Sequence, residues 1–290
     1  MAKKDLTSWL LFVVLSLIWG SSFILMKKAT DHLDGWQIGA VRISSAGLVF
    51  FPFALFHFKK IPLNKLHLVL FSGMLGNLFP AFLFAIAIEK KINSSLAGIL
   101  NSLTPLFVIT IGILFFKMKV QGKKIAGVLT GFAGLLILSL SQGNVSISDY
   151  GFTLLILLAT VMYGLNVNIV SHYLKGIEPF RIASVSMTLI AIPALIVAWY
   201  LGVFEASSSD AGFRASVGIV ALLGIGGTAI ATALFYILIQ RAGSIFASLV
   251  TYAIPVVAIF WGLVFGESIN AIEVACLGMI LGGVYLANRS

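Results

Sequence analysis

The chain has 290 residues, of which 60% are hydrophobic and only 10% are charged, whereas an ordinary globular chain is about 45–50% apolar and about 25% charged. So few charges cannot solvate the surface of a soluble protein of this length, and the composition therefore excludes a cytosolic globular protein. The net charge of +9 does not indicate nucleic-acid binding, because the cations lie in short clusters between apolar runs, which is the pattern of membrane topology.

Ten apolar runs bounded by charges or turn residues predict ten transmembrane helices, and the predicted fold class is an all-α membrane protein. The runs cover 7–27, 35–57, 66–88, 94–116, 123–141, 150–172, 179–201, 215–239, 244–265 and 270–288. The first run is long enough to span and lacks a small-residue cleavage site, so it is interpreted as a retained helix rather than a signal peptide. At about 20 residues per span, the ten runs leave too little chain for a soluble domain.

The distribution of charge predicts the orientation of these helices. With the N-terminus in the cytoplasm, the inner loops hold thirteen of the 19 Lys and Arg residues and the outer loops hold five, with Arg42 left inside a span. The positive-inside rule then places both termini in the cytoplasm. All ten Asp and Glu residues fall at span ends or in loops, which disfavours an intramembrane aspartyl protease, a prenyltransferase with paired aspartates and a pump with a buried acidic relay.

The chain also repeats itself. Sliding it by 144 residues lays Trp19 on Tyr163, and sliding it by 150 residues lays Pro105 on Pro255; the change of offset falls at the polar loop EASSSDAGFR. The two repeats are predicted to cover 1–142 and 143–290. Because each repeat holds five spans, the second must enter the membrane from the opposite side, and inverted repeats of this kind are typical of secondary transporters that work by alternating access.

The order and duplication of several strings identify a family resemblance. The strings are IWGSSFILMKKA with WQIGAVRISSAGLVFFP, SSLAGILNSLTPLFVITIGILFF with KKIAGVLTGFAGLLIL, and SIFASLVTYAIPVVAIFWGLVFGESI. Over nearly its whole length the chain resembles the EamA-type, ten-helix members of the drug/metabolite transporter superfamily. The resemblance implies a multi-pass exporter of the bacterial inner membrane, with amino acids or similar metabolites as substrates and a central cavity walled mainly by the third, fourth, eighth and ninth helices.

Two pairs of matched positions are candidates for the transport pathway. Pro105 and Pro255 each remove a backbone donor in mid-helix, which predicts free carbonyls four residues earlier, at Asn101 and Thr251; both a packing kink and cavity lining remain open. In the first and sixth spans, Trp19 with Ser22 and Tyr163 with Asn166 share a helix face because they lie three residues apart. These side chains are expected to face the bundle interior, either as interhelical hydrogen-bond partners or as substrate contacts.

Arg42 is the charged residue that lies well inside a predicted span, which costs about 2.5–3.5 kcal/mol at a helix centre on insertion scales. Its counterpart in the second repeat is Ser186, so the two gates are not expected to be chemically equivalent. Four interpretations remain open: a partner for a substrate carboxylate, a gate latch, a side chain that extends to the outer interface, or one that bonds freed helix carbonyls.

The candidate site is therefore a set of polar and aromatic residues on six spans. The predicted cavity-lining residues are Trp19, Asn77, Asn101, Thr104, Tyr163, Asn166, Thr228, Tyr236 and Tyr252. The predicted gating or hinge residues are Pro105, Pro255, Gly226 and Gly227, with Arg42 as a carboxylate partner or gate. In the fifth and tenth spans, Gly127-x-x-x-Gly131 and Gly278-x-x-x-Gly282 are small-residue packing motifs, which leaves packing within the chain and a homodimer open.

These observations predict a secondary transporter rather than an enzyme. Its expected partners are a small-molecule substrate and membrane lipid, and neither nucleic acid nor a cofactor is expected. A metal site is not expected either, because the chain has one cysteine and its histidines lie at span ends. The lack of a buried carboxylate favours facilitated diffusion or exchange. A proton-coupled multidrug or metabolite exporter of the same fold is the alternative, and an intramembrane enzyme or a receptor is disfavoured.

Overall fold

The computed structural model of the chain describes residues 6–90, 94–141, 150–205, 210–264 and 270–289, and within these ranges every regular element is helical. The lysines Lys3 and Lys4, which support the predicted orientation, and residues 206–209 of the predicted loop insertion lie outside the described residues.

Helices follow the predicted apolar runs along the whole described chain. The first half contains α1 (Leu6–Ala29), α2 (Gly35–His57), α3 (Leu63–Gly73), α4 (Phe79–Glu89), α5 (Ser94–Asn101), α6 (Thr104–Phe116) and α7 (Gly122–Ser141), with a short 3₁₀ turn at Phe58–Lys60 after α2. The second half contains α8 (Tyr150–His172), α9 (Pro179–Tyr200), α10 (Ala211–Leu222), α11 (Ala231–Ala242), α12 (Ser244–Ser248), α13 (Val250–Val264) and α14 (Ala271–Arg289).

Among the described residues, seven helices are long and apolar enough to cross a membrane. They are Leu6–Ala29, Gly35–Lys60, Leu63–Glu89, Gly151–His172, Pro179–Tyr200, Ala211–Ala242 and Ala271–Asn288. Two further apolar helices, Thr104–Phe116 and Ser244–Val257, are shorter. The chain is therefore a multi-pass, all-helical membrane protein.

The third and eighth predicted runs form continuous helices that contain a π-helical segment. We name these segments π1 (Met74–Leu78), between α3 and α4, and π2 (Leu223–Ile230), between α10 and α11. Applying the 150-residue offset of the sequence repeat to π1 gives residues 224–228, which fall inside π2. The two halves therefore carry the same irregularity at equivalent positions of the repeat. A π-helical turn leaves backbone groups without their usual partners and is frequent at functional sites.

The packing contacts between helices also come in matched pairs. The most extensive contacts join α2 to α9 and α7 to α14, which are the second and the fifth helices of the two halves. The contact of α6 with α8 corresponds to that of α13 with α1, and the contact of α4 with α8 corresponds to that of α11 with α1. Exchanging the halves therefore maps this contact pattern onto itself.

Glycine allows the backbones of α7 and α14 to touch. A Cβ atom on Gly127 would meet the backbone of Gly283 and Ala287, and one on Gly283 would meet the backbone of Gly131, whereas Gly278 and Gly282 have nothing within 4 Å. The first glycine motif thus packs inside the chain, but its partner on α14 is Gly283 and not the predicted Gly278 and Gly282. Of the two interpretations left open, packing within the chain holds for Gly127 and Gly131, while Gly278 and Gly282 face away from this contact, because one residue turns a helix by about 100°.

We expect Gly127→Leu to destabilise the protein, because the added side chain has no space between two helix backbones. Overpacking of a well-packed core costs about 1–3 kcal/mol, so the midpoint of thermal unfolding in detergent should fall by several degrees. Gly282→Leu is the matched control, since its Cβ position is open and its midpoint should stay close to that of the wild type. Equal midpoints for the two variants would contradict the assigned α7–α14 interface.

Candidate functional site

A cavity lies at the centre of the bundle, where helices of both halves meet. The first half contributes Trp19, Ser22, Met26, Arg42, Gly76, Asn77, Phe84, Asn101 and Thr104, and the second half contributes Tyr163, Asn166, Val167, Gly227, Thr232, Phe235, Tyr236, Ser248, Thr251 and Ile254. Its volume is about 100 Å³, counted as the space open to the centres of water molecules. That is room for several waters or a small solute, because about 10–15 Å³ on this scale holds one water.

The structure brings most of the sequence-predicted residues together at this cavity. Those that line it are Trp19, Asn77, Asn101, Thr104, Tyr163, Asn166 and Tyr236, together with Arg42 and Gly227. The predicted residues outside the lining are Thr228, Tyr252, Gly226, Pro105 and Pro255. The resemblance implied walls from the third, fourth, eighth and ninth helices, and the structure adds the first, second and sixth.

Two predicted lining residues, Thr228 and Tyr252, lie outside the lining, and Tyr252 packs on another helix. Its hydroxyl donates to the carbonyl of Val128 at 2.9 Å, and a Cβ on Gly131 would touch its ring. The side chain therefore packs on α7 at the back of α13, away from the cavity. The neighbouring Thr251 lines the cavity instead, because successive helical residues point about 100° apart.

Pro105 does not sit in mid-helix, as its sequence context suggested. The fourth predicted run turns at residues 102–103, and Pro105 lies in the first turn of α6, where its missing N–H has no helical role. The Asn101 carbonyl is not free either, because it accepts a hydrogen bond from the Thr104 hydroxyl at 2.6 Å. In the second half the turn falls at Leu249, and Pro255 lies inside α13 as predicted.

Arg42 projects into the cavity rather than toward a membrane interface. Its Nε donates to the hydroxyl of Thr228 on π2 at 2.8 Å. Gly224 lets the two helices approach, since a Cβ there would touch the hydroxyl of Ser45 and the carbonyl of Arg42. In the part of the chain that the structure describes, Arg42 has no ion-pair partner. A neutral hydroxyl orients the guanidinium but does not compensate its charge, so the cation stays available to an anion in the cavity.

Trp19 connects α1 to π2 on another wall of the cavity. Its indole N–H donates to the carbonyl of Gly227 at 3.0 Å, a carbonyl inside the π-helical segment. A Cβ on Gly227 would lie 3.0 Å from the hydroxyl of Ser22, so a larger residue there would push α1 away. The indole N–H thus provides a hydrogen-bond donor to a carbonyl of π2 and fixes the distance between π2 and α1.

A polar network joins the third and eighth helices. Tyr236 is fully buried, and its hydroxyl shares a 2.9 Å hydrogen bond with Ser72. The side-chain amides of Asn77 and Asn166 line the same cavity as this tyrosine. Thr232 donates to the Asn77 carbonyl oxygen at 2.9 Å. Such a network within a bundle holds its helices in one register, because separating them would leave buried polar groups without partners.

Sequence reasoning missed seven lining residues, which are Met26, Gly76, Phe84, Val167, Phe235, Ser248 and Ile254. A helical-spacing signal was present for three of them, since Met26 lies four residues after Ser22, Phe235 three after Thr232 and Ser248 three before Thr251. Phe84 carries no such signal and reaches the cavity because its ring stacks on Tyr163.

The comparisons with known proteins agree with this architecture. The sequence profile of the EamA-like transporter family matches the chain twice, over residues 6–140 and 152–289. The chain belongs to the EamA-like transporter family. It is 28% identical to the uncharacterised inner membrane transporter YedA of Escherichia coli K12, over 94% of this chain and 87% of YedA.

Two further similarities bear on parts of the account. A probable amino-acid metabolite efflux pump of Escherichia coli K12 is 30% identical over 53% of this chain and 50% of the pump. A protein of known crystal structure has the same fold, with a TM-score of 0.68 at 20% identity over 97% of this chain and 96% of that one.

We expect Trp19→Phe to weaken the contact between α1 and π2 while keeping an aromatic ring in place. The lost hydrogen bond leaves the Gly227 carbonyl without its donor, which costs about 0.5–1.5 kcal/mol and should lower the unfolding midpoint and the transport rate. Trp9→Phe is the matched control, because Trp9 makes ring contacts with Phe12 and Phe246. A larger loss of transport in the Trp9 variant would contradict the role assigned to Trp19.

Proposed function

We propose that this EamA-family transporter exports small metabolites that carry a carboxylate, amino acids above all, across the bacterial inner membrane by alternating access. The observation that carries the proposal is the charge of the cavity. Arg42 is the one charged residue among those that line it, and its guanidinium is held in place by a hydroxyl and not by a carboxylate.

A carboxylate substrate is the natural complement of this cavity. A charge inside a membrane protein is costly unless it is paired, and a carboxylate accepts two parallel hydrogen bonds from a guanidinium. Amides, hydroxyls and aromatic rings form the rest of the lining and suit the remainder of a small polar metabolite. The printed name of the half-length relative, a probable amino-acid metabolite efflux pump, supports amino acids as the first substrates to test.

Alternating access by two inverted five-helix repeats is supported by three independent features. The family profile matches two successive stretches, the π-helical segments fall at equivalent positions in the 150-residue repeat, and the helix contacts come in matched pairs. We assign the repeats to residues 1–142 and 143–290, with ten spans and both termini in the cytoplasm as the positive-inside rule predicts. Exchanging the conformations of such halves would exchange the open side of the cavity.

Facilitated diffusion or exchange fits the cavity better than proton coupling. Its lining has no Asp, Glu or His, which are the side chains that commonly carry protons in transporters. The alternative, a proton-coupled multidrug exporter of the same fold, would require such a carrier. We therefore expect that an imposed pH gradient leaves the rate of amino-acid efflux from proteoliposomes unchanged, and a rate that follows the gradient would favour the alternative.

Removing the charge of Arg42 should abolish selective transport of carboxylates. We expect Arg42→Gln to reduce the flux of radiolabelled amino acids from proteoliposomes by tenfold or more, since a charge-assisted hydrogen bond contributes about 1.5–3 kcal/mol. Thr228→Val keeps the charge and loses the group that orients it, so its flux should fall less. Lys119→Gln removes a charge from the loop between α6 and α7 and serves as the control. Unchanged flux in the Arg42 variant would contradict the proposed role.

A further inference from the structure

Two amides in the cavity have a carbonyl oxygen without a partner. Asn101 and Asn166 both line the cavity, and their side chains are 7% and 3% exposed. In the described ranges of the chain, neither Oδ1 atom accepts a hydrogen bond. An unpaired buried acceptor costs about 1–3 kcal/mol, and native proteins rarely keep one without a reason.

The two amides belong to the same wall. Asn101 ends α5 and Asn166 lies in α8, and both α5 and α6 pack against α8. The Asn166 amide packs against Gly76, where a Cβ would touch it. The Asn166 side chain is therefore held in position while its oxygen stays without a donor.

The residues at the equivalent positions of the repeat do not leave an unpaired acceptor in the cavity. The positions equivalent to Asn101 and Asn166 in the repeat are Thr251 and Ser22, which also line the cavity. Their hydroxyls donate to carbonyls of their own helices, Thr251 to Ser248 at 3.0 Å and Ser22 to Ile18 at 2.7 Å. Polar groups are thus satisfied on one wall and left as open acceptors on the other.

Arg42 adds a positively charged hydrogen-bond donor to the cavity that holds the two amide acceptors. Its Nε is bound to Thr228 on π2, and Tyr163 is close enough to interact with it electrostatically. Tyr163 and Asn166 lie three residues apart on α8, which is about 4.5 Å along the helix axis. A donor for carboxylates, Arg42, and an acceptor for N–H groups, Asn166, therefore line one small cavity, which suits a small molecule that carries both an acid and an amine.

We infer that the side-chain oxygens of Asn101 and Asn166 form a subsite for the ammonium group of the substrate. The cavity then selects zwitterionic amino compounds over carboxylates of the same size that lack the amino group. An ammonium group donates three hydrogen bonds and accepts none, so it satisfies both orphan acceptors, whereas the hydroxyl of a 2-hydroxy acid donates one. This inference rests on the proposed transport of carboxylates through the cavity.

The test compares matched substrates in proteoliposomes. L-leucine is paired with (S)-2-hydroxy-4-methylpentanoate, and L-phenylalanine with L-3-phenyllactate, so that each pair differs in the amino group alone. We expect wild-type flux of the amino acid to exceed that of the hydroxy acid by about tenfold or more, because a site built around a hydrogen-bonding group rejects the analogue that lacks it. Flux of neither acid in any pair would overturn the proposed function and the inference with it, while equal flux of both would overturn the inference alone.

Variants of Asn101 and Asn166 test whether these two amides determine the selectivity for the amino group. Asn101→Leu and Asn166→Leu remove the acceptor at nearly constant volume, so the ratio of amino-acid to hydroxy-acid flux should fall toward one. Asn101→Asp and Asn166→Asp keep the acceptor and add negative charge, so the ratio should rise, and these variants test the subsite even if the leucine variants do not fold. Thr160→Val and Ser16→Ala are the matched controls, because their hydroxyls donate to carbonyls of their own helices and lie outside the cavity lining, and they should leave the ratio at the wild-type value. A wild-type ratio in all four asparagine variants would overturn the assignment.

Discussion

The charge of Arg42 is held inside an apolar helical bundle, and much of the surrounding structure positions it at the cavity. Its Nε bonds to Thr228 on π2, and Gly224 brings α2 against that segment. A snorkelling arginine would extend to an interface, whereas this one lines the cavity between both halves of the chain. The cation therefore gives the cavity its charge, and the side-chain oxygens of Asn101 and Asn166 add two open acceptors to the same cavity.

The same contacts connect binding to movement. π2 accepts hydrogen bonds from Arg42 at Thr228 and from Trp19 at the Gly227 carbonyl. This segment therefore links α2, which carries Arg42, to α1. Its counterpart π1 lies against Asn166 through Gly76. A π-helical turn is a local irregularity that can relax to α-helix by a shift of hydrogen-bond register, which makes both segments suitable hinges for the proposed exchange of conformations.

Much of the fold could be predicted from the sequence, because lipid demands long apolar runs and the chain contains them at the predicted places. The repeat offset also predicted which helices are equivalent. The side-chain positions were harder: Tyr252 faces α7 while Thr251 faces the cavity, and Gly283 packs where Gly282 was expected. Each error is a single residue, because hydropathy that is uniform around a membrane helix does not show which face turns inward.

The helix interruptions were not predictable from composition either. Pro105 begins a helix and Pro255 lies within one, although the two prolines are aligned in the repeat. The π-helical segments depend on hydrogen-bond register, which no residue pattern in the apolar runs showed.

The central claim is that the Arg42 cation recognises a substrate carboxylate. Its most direct test is competition between unlabelled leucine and leucinamide for the efflux of the radiolabelled amino acid that the wild-type protein transports fastest, since the amide keeps size and ammonium group but loses the negative charge. The account predicts that leucine competes at least tenfold better than leucinamide, which is the effect of about 1.4 kcal/mol. Equal competition by the two compounds would contradict it.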